Sequence, residues 1–188
     1  MTVSQTADSR PYRWPWHGAF TPARTALAVA VDGQSAPPDA TLRARLIELV
    51  RAARGAGVVI GELPDHSGAS VLPHGLADFA VTRPHLGGFS GTDLDGVLRR
   101  RGITDIMLAG FPFELGADCT MRQANDLGYE CLALTDCSTG LAADTFGGSI
   151  ASIQMSGGIF GVVAESAAVL ELLAAYPLAA AAAPPHDR

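Results

Sequence analysis

Three places in this sequence carry groups that could bind or activate a small polar molecule. Asp32 ends the apolar run that starts at Thr25, a pattern typical of a strand buried on both faces. Arg83 can neutralise a carboxylate or hold one through two parallel hydrogen bonds. The Gly110–Gly116 turn leads into a predicted helix, whose first N–H groups, near residues 114–117, suit an oxyanion or a carboxylate.

The basic residues restrict the chemistry further. All 13 are arginine, and the chain contains no lysine. This excludes Schiff-base catalysis, attachment of pyridoxal phosphate, a lysine general base and the lysine of a phosphate-binding Walker loop. Codon usage biased toward arginine and alanine is the simplest explanation of the pattern, and the chemical consequence is the same whatever the cause.

Composition limits the class of protein. A chain of 188 residues with 48% hydrophobic residues predicts one domain with a sizeable core. The net charge of −6 argues against a nucleic-acid partner, and the absence of an apolar run of about 18 residues predicts no membrane span. Three cysteines and a polar start predict a reducing, cytoplasmic location without a signal peptide.

Strand and helix patterns alternate along the chain. The predicted strands are Thr25–Asp32, Val58–Leu63, Asp78–Thr82, Ile103–Ala109, Tyr129–Thr135 and Gly157–Val163; the predicted helices are Asp39–Gly57, Thr92–Arg101, one from the Gly110–Gly116 turn to Gly128, Ala142–Met155 and Glu165–Tyr176. This alternation implies right-handed crossovers, so we predict a three-layer α/β/α, Rossmann-like fold with a mostly parallel sheet of about six strands. Ligands of such folds bind beyond the carboxyl ends of the strands, where Asp32, Arg83 and the Gly110–Gly116 turn fall.

The same patterns predict the domain organisation. We expect the domain to span residues 25–176. An N-terminal arm of residues 1–24 would precede it, and a flexible tail of residues 177–188, rich in alanine and proline, would follow it.

Several motifs carry a family resemblance. The stretches GFSGTDL at 88–94, RGITDIMLAG at 101–110, TMRQANDLGY at 120–129 and DC at 136–137 match, in order and spacing, the central block of the isochorismatase-like hydrolase superfamily. The arm YRWPW at 12–16 and the segment GGIFG at 157–161 are similar to the amidohydrolases that act on ureido compounds and biuret. The resemblance extends from about Tyr12 to Leu173 and agrees with the predicted fold.

Most members of that superfamily are cysteine amidases, so the resemblance implies a triad of aspartate, lysine and cysteine. Carried over position by position, the aspartate falls on Asp32, the lysine on Arg83 and the cysteine on Gly116. Gly116 cannot form a thioester, and an arginine that is always protonated cannot shuttle a proton. One branch, which hydrolyses vinyl ethers, also has glycine at this position and uses the aspartate as an acid, although it keeps the lysine.

We therefore predict a hydrolase without a covalent nucleophile that acts on a small polar, anionic substrate by acid–base catalysis at Asp32. Arg83 would bind the anion, and backbone N–H groups near Gly116 would stabilise an oxyanion or carboxylate. The expected substrate contacts are Gln34, Phe89, Phe113, Glu114, Leu115 and Ala117. We expect no cofactor and no metal. The alternative is a metal site formed by Asp65, His66 and His74, since the resemblance includes a nicotinamide-hydrolysing branch that binds a metal with such a set of residues.

Two other functions remain open. One is an inactive homologue that binds a ligand or serves as an interaction subunit. It is favoured by the loss of both the lysine and the cysteine, and by the short segments between Gln34 and Leu42 and between Leu63 and Phe79. Alternatively, Cys119 lies one turn after Gly116 and could serve as the nucleophile of an amidase.

Oligomerisation is implied by the resemblance. We expect a homo-oligomer, or a hetero-oligomer with an active homologue. The apolar segment Gly157–Val163 could contribute to the contact, and Trp14 and Trp16 are candidates for packing or interface anchors.

Overall fold

Strands and helices alternate through the part of the chain described by the computed structural model, which comprises Arg13, residues 20–35 and residues 37–176. The strands are β1 (Thr25–Val31), β2 (Val59–Pro64), β3 (Phe79–Ala80), β4 (Asp105–Phe111), β5 (Glu130–Leu134) and β6 (Val162–Ala164); the helices are α1 (Ala40–Gly55), α2 (Leu94–Arg99), α3 (Asp118–Asp126), α4 (Ala143–Met155) and α5 (Ser166–Ala174). The strands form one sheet in the order β3-β2-β1-β4-β5-β6, and every pair is parallel. This confirms the predicted fold class.

Strand β1 occupies the centre of the sheet, between β2 and β4. All seven of its residues are buried. A strand with hydrogen-bonded neighbours on both edges and helices over both faces can be wholly apolar, which explains the run recognised in the sequence. The chain crosses to β2 and β3 on one side of β1 and later to β4 on the other, so the strand order reverses at the carboxyl ends of β1 and β4. Ligands of doubly wound folds bind at such a point.

The two faces of β1 differ in side-chain size, since successive residues point to opposite faces. Leu27 and Val29 belong to the core cluster that includes residues of α1 and α5. Ala28 and Ala30 belong to the cluster on the other face, with residues of α2, α3 and α4. Because alanine is small, the segment that follows β4 can lie very close to the sheet on that face.

The helices begin and end at residues that satisfy their free backbone groups. The Asp39 carboxylate accepts the Leu42 N–H at 2.8 Å and caps α1, and Gly57 follows the helix with a φ of 93°. The Asp136 carboxylate accepts both the N–H and the hydroxyl of Ser166 at the start of α5. No helix in the described ranges has the length and apolar composition that a membrane crossing requires.

The last strand differs from the prediction. A strand was predicted over Gly157–Val163, whereas β6 covers Val162–Ala164. Three glycines explain the shift, since Gly157, Gly158 and Gly161 have φ values of 67°, 96° and 129° and form a turn. Likewise, a single π-helical turn, Phe113–Ala117, overlaps the predicted Gly110–Gly116 turn, and α3 begins only at Asp118.

The ends of the chain are only partly described. The predicted tail and most of the predicted arm, with Trp14 and Trp16, lie outside the described residues. Residues 20–24 lie against the domain, because the Tyr176 hydroxyl donates to the Phe20 carbonyl oxygen at 2.7 Å and the two rings meet edge to face.

Replacing Gly161 by alanine tests the turn before β6. At this φ a Cβ is strained, and it would fall against the Cys131 carbonyl oxygen and the Met121 methyl group. Strain and overpacking together predict a loss of about 2–4 kcal/mol in the free energy of unfolding, measured by urea denaturation.

Gly57→Ala is the matched control. Gly57 also has a positive φ, but nothing lies within 4 Å of its Cβ position. This variant should lose only about 1–2 kcal/mol for the backbone. Equal losses in the two variants would show that the Gly161 contact has no energetic consequence.

Candidate active site

The three positions singled out in the sequence lie together at the point where the strand order reverses. Asp32 directly follows β1, and its N–H donates to the Phe111 carbonyl oxygen at 2.9 Å, which ties the ends of β1 and β4. Gly116 lies in the π turn after β4. Arg83 reaches the same place from the segment after β3, with Nη2 at 3.1 Å from Asp32 Oδ1.

Arg83 is fully buried, and its guanidinium is surrounded by oxygen atoms. The partners are the carbonyl oxygens of Leu63 (from Nε, 2.8 Å), Val31 (from Nη2, 3.1 Å), His85 (from Nη1, 3.3 Å) and Leu86 (from Nη1), and Asp32 Oδ1. A guanidinium has five N–H groups, so five oxygen partners leave none for the two-pronged grip on a substrate carboxylate that the sequence suggested. The residue instead joins the ends of β1 and β2 to the loop that follows it.

Asp32 is anchored on one side only. Oδ1 faces Arg83, whereas Oδ2 is buried and accepts no hydrogen bond within the described part of the chain. The side chain keeps 14% of its surface exposed. A buried oxygen without a partner costs about 1–3 kcal/mol. Such an atom at the strand crossover therefore points to a proton donor supplied by a water or a ligand.

Gly116 leaves no room for a nucleophile. A Cβ at this position would lie 2.6 Å from the Ala30 Cβ and 3.2 Å from Arg83 Nη2. Its N–H donates to the Pro112 carbonyl oxygen at 3.4 Å, and its carbonyl oxygen accepts the Thr120 hydroxyl at 2.6 Å. The space that a thiol would occupy is thus filled by the sheet and by the guanidinium, and this N–H already has an acceptor.

The expected substrate contacts have very different exposures. Gln34 is exposed and Leu115 is half-buried. Phe113 and Ala117 are fully buried in the core, so their side chains offer no surface to a ligand. Phe89 is half-buried and packs on Tyr129, with ring centroids 5.6 Å apart.

Glu114 connects the π turn to the start of α4. Its carboxylate accepts the Leu141 N–H at 3.1 Å and the Thr145 hydroxyl at 2.8 Å. Both of these donors belong to the start of α4 or to the loop before it. Glu114 therefore holds the turn that contains Gly116 against the loop before α4.

Sequence reasoning missed the structural role of Asp65. One oxygen accepts the Gly33 N–H at 3.2 Å, and the other accepts the N–H of Ser67 at 3.0 Å and its hydroxyl. The Ser67 hydroxyl, more than the Arg83 charge, lowers the pKa of Asp65. The Asp-x-Ser spacing of a side-chain turn was the available signal. Among the described residues no three His, Cys, Asp or Glu side chains converge on a metal position, so nothing groups Asp65 with His66 and His74.

The thiols are poorly suited to nucleophilic catalysis. Cys119 is half-buried, and its Sγ lies 3.6 Å from the Glu114 carbonyl oxygen. Burial and the neighbouring Asp118 raise the pKa of Cys119. Burial also raises the pKa of Cys131, and that of Cys137 to about 12. All three side chains are therefore thiols near neutral pH, whereas the thiolate is the reactive form.

Alkylation tests Cys119. We expect iodoacetamide at pH 7.5 to modify it several-fold more slowly than an unhindered cysteine, since the raised pKa reduces the thiolate fraction and the rate should rise as pH increases. Peptide mass spectrometry measures the rate. Rapid modification that also abolishes turnover would support the amidase alternative, and Cys119→Ser is the control for activity that does not need the thiol.

A double-mutant cycle tests the filled position beside Gly116. Gly116→Ala should lower the free energy of unfolding by about 1–3 kcal/mol, because its Cβ meets that of Ala30. Ala30→Gly removes the opposing atom, so the double variant should lose less than the sum of the two single losses. Strictly additive losses, measured by chemical denaturation, would contradict the contact.

Known proteins resemble this chain in sequence and in structure. The sequence profile of the isochorismatase domain matches residues 29–168. A stretch of 78 residues is 42% identical to the uncharacterized isochorismatase family protein YwoC of Bacillus subtilis (strain 168), covering 40% of this chain and 41% of that relative. The chain thus aligns with about two fifths of the length of the curated relatives it matches.

Solved structures agree with this match. An isochorismatase family protein from Burkholderia thailandensis superposes with a TM-score of 0.67 at 25% identity, over 82% of this chain and 97% of that one. A cysteine hydrolase from Pseudomonas syringae pv. phaseolicola 1448A superposes with a TM-score of 0.71 at 22% identity, over 90% and 99% of the two chains, which shows a shared fold. Since the profile covers most of the domain, this chain belongs to the isochorismatase family.

Proposed function

We propose that this protein is a hydrolase that acts on a small polar molecule without a covalent enzyme intermediate, with Asp32 as the group that moves the proton. The observation that carries the proposal is Asp32 Oδ2, a buried oxygen without a hydrogen-bond partner in the described chain, at the point where the strand order reverses. The resemblance in sequence supports hydrolytic chemistry at this place.

The two neighbouring positions limit how the reaction can proceed. Gly116 supplies no nucleophile, and Arg83 stays charged and keeps its proton. Of these three residues, Asp32 is therefore the one whose side chain can exchange a proton. Arg83 holds Oδ1, which leaves Oδ2 to act as the base. Oδ2 accepts a proton from a water molecule while the oxygen of that water bonds to the electrophilic carbon of the substrate. The same oxygen returns the proton to the leaving group.

The proposed substrate is small and polar, and it need not carry a negative charge. An anionic substrate was expected because Arg83 would bind it, but the guanidinium already has five oxygen partners. Recognition instead requires a donor group of the substrate, or a water, that faces Asp32 Oδ2. Amides, ureido compounds and vinyl ethers are the substrate classes to test.

Asp32→Asn tests the proposal. We expect at least about a hundredfold loss of turnover on any compound that the wild-type chain hydrolyses, because an amide cannot accept the proton. Asp126→Asn, an exposed residue at the end of α3, is the matched control and should keep full activity. Unchanged turnover in Asp32→Asn would refute the assignment. Thermal unfolding of both variants separates lost chemistry from lost structure, since Asp32→Asn also removes the counterion of a buried arginine.

A second candidate function is ligand binding by an inactive homologue. The filled space at Gly116 and the fully engaged Arg83 favour it, since both remove groups that the family's amidases use. It predicts that the wild-type chain hydrolyses none of the panel and that one of the compounds still raises the melting temperature. That shift should disappear in Asp32→Asn and persist in Asp126→Asn.

A further inference from the structure

Thr120 links two segments of the candidate site. It is the third residue of α3 and is buried, with 1% of its surface exposed. Its hydroxyl group donates to the Gly116 carbonyl oxygen at 2.6 Å and accepts the Gly88 N–H at 2.9 Å. A threonine in a helix often donates to the carbonyl group four residues earlier, so the first bond by itself indicates nothing about function. The second bond crosses to a segment 32 residues earlier in the chain and needs a separate explanation.

The segment at the other end of this bond is the loop that binds Arg83. His85 and Leu86 supply the two carbonyl oxygens that accept hydrogen bonds from Arg83 Nη1. Gly88 follows directly in the same loop. We call residues 85–89 the guanidinium loop. Arg83 therefore binds one end of this loop, and Thr120 holds the other end.

Helix α3 supports the guanidinium loop at two points that are neighbours on the helix surface. Besides the Thr120 bond, the side-chain oxygen of Gln123 accepts the Phe89 N–H at 3.0 Å. The loop lies so close to the helix that a Cβ on Gly88 would be 3.2 Å from the Thr120 methyl carbon, and a Cβ on Gly87 would overlap the Gln123 amide. The two glycines thus permit a close contact, and the two polar side chains of α3 fix it.

Arg83 carries this constraint to Asp32. Nη1 faces the guanidinium loop, whereas Nη2 of the same planar group lies 3.1 Å from Asp32 Oδ1. Because the guanidinium group is rigid, a shift of the loop carbonyl groups tilts the whole plane and moves the nitrogen that faces Asp32. Within the described part of the chain, the Asp32 carboxylate has no other partner that would keep its orientation.

We infer that Thr120 is a positioning residue for Asp32, because its shared hydroxyl group fixes the loop that holds the Arg83 guanidinium group in place. A hydroxyl group can donate and accept at the same time, which a valine of nearly the same shape cannot do. The catalytic consequence of this inference rests on the proposed function. The consequence for Arg83 can be measured without any substrate.

Thr120→Val tests the inference, since it removes both hydrogen bonds and nearly keeps the shape of the side chain. NMR spectroscopy of the full chain with ¹⁵N-labelled arginine measures the exchange of the Arg83 side-chain protons with water. We expect the Nη1 protons to exchange at least about tenfold faster than in the wild type, because the loop that covers them opens more often. The Nε proton, bound to the Leu63 carbonyl oxygen of β2, should change by less than about threefold. Thr120→Ser keeps the hydroxyl group and should restore the wild-type rates.

Thr25→Val is the matched control. Thr25 is also fully buried, and its hydroxyl group donates to the Thr21 carbonyl oxygen at 2.9 Å. It is the first residue of β1, at the opposite end of that strand from Asp32, so this variant should leave all Arg83 rates unchanged. Gln123→Met removes the second support at a half-buried position and should accelerate Nη1 exchange to a smaller extent. This milder variant decides the question if Thr120→Val does not fold.

Turnover gives a second readout on any compound that the wild type hydrolyses. Thr120→Val should lower kcat at least about tenfold, because Asp32 Oδ2 is no longer held in the reactive orientation. KM should change by less than about threefold, since Thr120 does not contact the substrate. If no compound is hydrolysed, the proposed function fails, while the exchange rates still decide whether Thr120 positions the guanidinium group.

The inference fails if Thr120→Val and Gln123→Met leave Nη1 exchange at the wild-type rate. It also fails if the Nη1 and Nε rates rise equally, which would indicate a general loss of stability, if Thr25→Val has the same effect, or if Thr120→Ser does not restore the rates. Faster Nη1 exchange with an unchanged kcat would show that the loop does not position Asp32.

Discussion

The buried guanidinium of Arg83 is the interaction on which the candidate site depends. It joins the ends of β1 and β2, two carbonyl groups of its own loop and the Asp32 carboxylate. Removing one partner of such a buried pair typically costs about 3–5 kcal/mol, because the other charge is left uncompensated. Arg83 therefore positions Asp32 and defines which of its oxygens remains available, although it cannot take part in proton transfer itself.

The close approach of the π turn to the sheet is the second constraint. It favours glycine at position 116 and a residue no larger than alanine at position 30, because a Cβ on residue 116 would overlap that of Ala30. The same turn is held by Glu114, which reaches the loop before α4 and the first turn of that helix. The candidate site at Asp32 and the start of α4 are thus connected through one short segment.

Much of the fold could be predicted from patterns within short stretches. The apolar run of β1 predicted a strand buried on both faces, and the spacing of apolar residues in α1 predicted a helix from Asp39, which caps α1 in the structure. The start of β6 was misplaced, because valine and isoleucine favour strands while the intervening glycines adopt positive φ values that a strand excludes. The conformational preferences of single residues could not show whether the strand preference of valine and isoleucine or the turn preference of the glycines would prevail.

The sequence by itself determined the chemistry that is excluded: the chain has no lysine, and Gly116 has no side chain that could form a covalent intermediate. It also placed Asp32, Arg83 and Gly116 at the carboxyl ends of strands. Only the tertiary structure decided what Arg83 does there. Its oxygen partners come from Val31, Leu63 and its own loop, and they meet because parallel strands distant in sequence end at one edge of the sheet.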